Sequence, residues 1–180
     1  MRYSEEEIKS KLKKEFDSLE NQKNRVKKNA EAVVILAAEE EDIVGQNKER
    51  IDKGLKIIST FECKPLLIYL GTQNHNKSAS IYIRSKDITY KQIKSRNQAN
   101  TKDQIIDLRR YSKNHEIASI TIVSHIYHIP RIKRYCKILI PKVNITFWKI
   151  GKIKDYKRQV NEEIEKILEY SKKGDLPLFL

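Results

Sequence analysis

The chain has 180 residues, 39% hydrophobic and 34% charged, with a net charge of +13 and a pI near 9.6. That length suits one domain with its own core, and no apolar run approaches the roughly 20 residues of a membrane span. Met1 to Asn29 is charged throughout and reads as neither signal peptide nor anchor, so no membrane partner and a cytoplasmic location are expected.

In chain order, Ser4 with Glu7 is a capping-box signal. Ile8, Leu12, Phe16, Leu19 and Val26 follow at helical spacing, predicting a long amphipathic N-terminal helix within residues 1–30. Ala32 to Ala37 is a continuous apolar run, as in a strand buried on both faces. The acids Glu39 to Asp42 read as a loop, and Asn47 to Phe61 as a helix with Ile51, Leu55 and Ile58 inward. Leu66 to Leu70 is a second buried strand ending at Gly71-Thr72. Gln73 to Lys77 reads as a polar loop, Ser78 to Lys86 as a short helix and Ile88 to Ile93 as a third strand. A helix over Asn100 to Lys113 buries Ile105, Ile106 and Leu108. Ser119 to Ser124 is a fourth strand, Tyr127 to Leu139 the helix after it, and Val143 to Trp148 a fifth strand. Asp155 to Lys173 is a last amphipathic helix stopped by Gly174, and the apolar tail Leu176 to Leu180 should dock on the domain or a partner.

Strands that alternate with helices and are apolar on both faces predict a Rossmann-like α/β domain over residues 1–180. It should be a three-layer sandwich, with a mostly parallel sheet of about five strands, helices on both faces, and N- and C-terminal helices added.

Such a sheet gathers its ligand-facing groups at the carboxyl ends of the strands. His128 and Arg131 stand three residues apart at the start of a helix, with Pro130 in its first turn. His128 has the pKa for acid–base work. Arg131 has the fork to clamp a carboxylate or phosphate. Asn100 and Asp103 fit a capped helix start, and Asn100 and Thr101 also face the predicted crevice. Gly71, after a strand, permits a tight turn and a close backbone approach to a ligand. Thr72, Ser124, His125 and Arg50 lie near the same edge. A GxGxxG fingerprint, a G-x-S-x-G elbow and paired metal ligands are absent. Cys63 and Cys136 read as two separate thiols.

Five pieces of the chain together resemble the YdcF/SanA/ElyC-like domain family. They are the strand Val33-Val34-Ile35-Leu36-Ala37, Arg50, Leu70-Gly71-Thr72, the segment Gln98 to Gln104, and Val123 to Arg131 with its Tyr127-His128-Ile129-Pro130-Arg131 core. The resemblance spans roughly Ala32 to Trp148 and implies a Rossmann-like sheet with a cleft at the strand ends. It also implies S-adenosylmethionine as a candidate ligand, since some members bind it. Ala37 and Thr72 stand where the family pattern has Gly, and Asp103 where it has Glu.

The expected function is therefore binding of a nucleotide-type or anionic ligand, such as S-adenosylmethionine, at the strand ends. A hydrolase or transferase using His128 as acid/base is one alternative. The other is a nucleic-acid-binding accessory protein, because Arg131 to Arg158 holds ten Lys/Arg against one acid, Asp155.

Overall fold

The computed structural model describes residues 3–24, 29–38, 44–84, 86, 88–94 and 100–180. These residues form a five-stranded parallel sheet with helices on both faces, a Rossmann-like three-layer sandwich. The strands are β1 (Ala32–Leu36), β2 (Leu66–Gly71), β3 (Tyr90–Lys94), β4 (Ser119–His125) and β5 (Asn144–Ile150). The helices are α1 (Glu5–Asn21), α2 (Gly45–Ile58), α3 (Gln73–Arg84), α4 (Thr101–Asn114), α5 (Ile129–Leu139) and α6 (Lys157–Lys172). Strand order is β3-β2-β1-β4-β5, with Val34 paired to Ile68 on one side and Ile122 on the other.

Side-chain alternation divides the core into two halves. Ala32, Val34 and Leu36 join Ile105 of α4, Ile132 of α5 and Ile164 of α6 on one face. Val33 and Ile35 meet Ile51 of α2 and Ala79 and Ile83 of α3 on the other. Both faces of β1 are thus covered, which is why its sequence carries no polar position.

Two expectations are corrected. Gln73 to Lys77 is not a loop: it is the first part of α3, with His75 and Asn76 buried. The N-terminal helix stops at Asn21, and Val26 lies outside the described residues, as do the acids Glu39 to Asp42. The edge of β5 is closed by a side chain: Asn24 accepts from the Lys149 N–H at 2.9 Å and donates to its carbonyl at 2.9 Å.

The terminal segments are fastened by one buried cation. Arg134 of α5 gives two N–H groups to Glu15 of α1, at 3.0 and 2.6 Å. It gives the others to the carbonyls of Pro130, Pro177 and Leu178. All five donors are used, and the side chain is fully buried. Glu15→Ala would leave that charge buried without its carboxylate. We expect a loss of about 2–4 kcal/mol, in the lower part of the range for broken buried pairs because Glu15 is partly exposed. Urea unfolding checks this, and a loss within about 0.5 kcal/mol would reduce the pair to an ordinary surface contact.

Candidate functional site

From β1 the sheet grows through β2 to β3, then restarts on the other side at β4. The carboxyl ends of β1 and β4 therefore border the topological switch point, where open α/β sheets bind ligands. A cavity of about 470 Å³ opens there, within the size range of small-molecule sites. Ala37 and Ala38 reach it from the end of β1, Tyr127 and His128 from the end of β4, Asn100 and Thr101 from the start of α4, and Arg50 from α2. Helix α6 supplies a further wall with Arg158, Glu162, Glu163 and Lys166.

His128 lies in a 3₁₀ turn (Ile126–His128) between β4 and α5. Its Nε2 is 3.0 Å from the Thr101 hydroxyl and its Nδ1 3.3 Å from the Ser124 hydroxyl. Burial holds its pKa well below the ordinary value, and the charges of Arg131 and Arg50 push the same way. The imidazole is neutral at neutral pH. One ring nitrogen is then a donor and the other an acceptor, which the two hydroxyls can match.

Arg50 is 2% exposed. Its Nε donates to His125 Nδ1 at 3.1 Å, Nη1 to the Leu36 carbonyl at 2.7 Å, and Nη2 to Gln46 Oε1 at 3.4 Å. His125 Nδ1 is therefore the acceptor, so its proton sits on Nε2, which lies 2.8 Å from Glu49 Oε2. Burial, followed by the Arg50 charge, pulls the His125 pKa down against the pull of Glu49. Burial also lowers the Arg50 pKa, but a guanidinium stays charged at neutral pH. No carboxylate among the described residues lies within ion-pair distance of Arg50.

Arg131 is the expected clamp for a carboxylate or phosphate. It lines the cavity but is already bidentate to Glu163, at 2.7 and 2.9 Å. Asn100 caps α4 by accepting from the Asp103 N–H at 2.9 Å, and Asp103 is spent on that cap. Gly71 and Thr72 lie outside the cavity lining. A Cβ on Gly71 would stand 2.5 Å from that of His75 and 3.1 Å from that of Ala37, so the close approach there is internal packing. Thr72 bonds to His75 Nδ1. Ser124 supports His128 from behind the cavity lining, and His125 supports Arg50 in the same indirect way.

Sequence reasoning did not anticipate Gln104, whose Nε2 donates to the Ala37 and Leu70 carbonyls at 3.3 and 3.1 Å. Nor did it anticipate Asn47, whose Oδ1 accepts from the Ala38 N–H and the Tyr69 hydroxyl. The α6 wall was likewise unforeseen. Among the described residues no three His, Cys, Asp or Glu are grouped to hold a metal ion, and no helix is long and apolar enough to cross a membrane.

The basic stretch is partly turned inward. Arg131 and Arg134 are ion-paired, Lys149 donates to the Leu19 and Gln22 carbonyls, and Lys133 lies over the Phe147 ring. Comparison with protein-family models, characterised proteins and solved structures finds no match.

His125 and His128 bind fewer protons folded than unfolded, because both pKa values are depressed. Stability is then full above the unfolded value of about 6.5 and falls as pH drops below it, by at most about 1.4 kcal/mol per pH unit for each ring. Urea unfolding between pH 7.5 and 5.5 should show this decline, and His128→Asn should flatten it. A wild-type stability independent of pH over that window would contradict the buried neutral rings.

Proposed function

We propose that this chain binds a nucleotide-type ligand in the switch-point cavity between the ends of β1 and β4. The observation that carries the reading is the buried, charged Arg50 in the cavity wall, with only neutral hydrogen-bond partners among the described residues. A buried charge is stable when an opposite charge meets it, and an anionic group of a ligand supplies one. Asn100, Thr101 and His128 add polar groups suited to a ribose or an acidic group. The resemblance of the 98–104 and 123–131 segments to the YdcF-like pattern makes S-adenosylmethionine one candidate, beside the adenine nucleotides.

A hydrolase or transferase is a second reading, favoured by the Thr101 hydroxyl 3.0 Å from a neutral imidazole nitrogen. His128 would then act as base toward a hydroxyl or a water. The nucleic-acid reading draws less support, because five of its ten basic side chains, Arg158 on Glu162 among them, are engaged within the fold.

A thermal-shift panel of S-adenosylmethionine, its demethylated product, adenine nucleotides and inorganic phosphate tests the proposal. A compound at a hundred times its Kd adds about 2.7 kcal/mol, or roughly 5–10 °C for a chain of this size. The expected result is such a shift in the wild type that shrinks in His128→Ala. No shift with any compound would remove the nucleotide reading.

A further inference from the structure

We infer that the cavity seats a phosphoryl dianion on the Arg50 guanidinium, with Glu49 and His125 acting as positioning residues for that side chain. The inference rests on the nucleotide reading above and names the chemical class of the group that anchors the ligand.

The first support is a contrast among three largely buried arginines. Arg134 spends all five N–H groups and faces a carboxylate. Arg131 is bidentate to Glu163. Arg50 spends three N–H groups, all on neutral acceptors. The terminal nitrogens meet no carboxylate among the described residues, and the Tyr127 side chain, also neutral, stands within hydrogen-bonding reach of the guanidinium. A guanidinium is a planar fork whose donors match a pair of oxygens on one acidic group.

The second support is charge. Among the described residues, the cavity lining holds Arg50, Arg131, Arg158 and Lys166 against Glu162 and Glu163, an excess of two positive charges. Glu163 is held by Arg131 and lies 3.6 Å from Lys166, and Glu162 is paired with Arg158. A phosphomonoester carries close to two negative charges at neutral pH. S-adenosylmethionine carries an ammonium, a sulfonium and one carboxylate, so its net positive charge suits this lining less well.

The third support is the fixing of the fork. Glu49 takes the His125 Nε2–H, which leaves Nδ1 as the acceptor for Arg50 Nε. The Leu36 carbonyl holds Nη1. A guanidinium held from two sides is preorganised, and binding then costs little side-chain entropy. The N-terminal turn of α4, whose Asn100 and Thr101 line the same cavity, adds partial positive charge.

The test is isothermal titration of the full chain at neutral pH with inorganic phosphate, AMP, adenosine and S-adenosylmethionine. AMP should bind at least tenfold tighter than adenosine, and phosphate should compete with it. Arg50→Lys, checked for folding by circular dichroism, should lower AMP affinity at least tenfold. Lys166→Gln alters a half-exposed side chain and keeps the test open if Arg50 variants misfold. It should weaken AMP several-fold and leave adenosine unchanged. Adenosine or S-adenosylmethionine binding as tightly as AMP, or AMP affinity unchanged in folded variants, would overturn the phosphoryl seat while the nucleotide site stands. Binding of phosphate without AMP would keep the seat and overturn the nucleotide reading. No binding by any of the four would overturn both.

Discussion

The Arg50 guanidinium is the constraint around which the site is arranged. It joins the Leu36 carbonyl at the end of β1 to the His125 ring at the end of β4, the two strands whose separation makes the crevice. Gln104 bridges the ends of β1 and β2 through the Ala37 and Leu70 carbonyls. Asn47 takes the next N–H, that of Ala38. Backbone groups beyond the last ladder bond are thus met by side chains from α2 and α4, as buried polar groups require. Of these ties only Arg50 carries charge. Desolvating a cation costs several kcal/mol, and a carbonyl and an imidazole return part of that. No carboxylate among the described residues pairs with the guanidinium to offset the remainder.

Most of the sheet was legible because helices cover both of its faces. Burial on both sides selects apolar side chains in β1 and β2, so Ala32 to Leu36 and Leu66 to Leu70 stand out as apolar runs. Helix α3 was not legible at its start. Gln73-Asn74-His75-Asn76 has no apolar residue and a composition usual for turns, yet His75 and Asn76 are buried there, His75 against Gly71. Local composition reports solvent preference, and tertiary burial overrode it.

The site divides the same way. Arg50, Asn100, Thr101, His128 and Arg131 could be anticipated because they sit at strand ends or in the helices that follow. The α6 wall could not. Glu163 and Lys166 have the spacing of an ordinary polar helix face, and nothing local marks Glu163 as buried at 3% exposure. The roles of Ser124 and His125 were hidden by one residue of strand. Because β4 runs through His125, the two side chains point to opposite faces. Ser124 turns toward His128, and His125 toward α2 and Arg50.

Charge density along the sequence was a poor guide to surface potential for a related reason. Within Arg131 to Arg158, Arg131 and Arg134 are structural, and each organises a different part of the frame. Arg134 binds α1 and the tail after α6 to α5. Helix α6 also meets α1 through Lys9 with Glu165 and Lys172 with Glu5, but these exposed pairs are worth little each. The fastening of α1 therefore depends on Arg134 and on the packing of Leu12 and Phe16 with Ile164 and Ile167 in one core cluster. Because α6 forms part of the cavity wall, α1, which packs against α6, backs that wall from outside the lining. A change at Glu15, which lies outside the cavity lining, therefore acts on a helix that packs against one wall of that cavity.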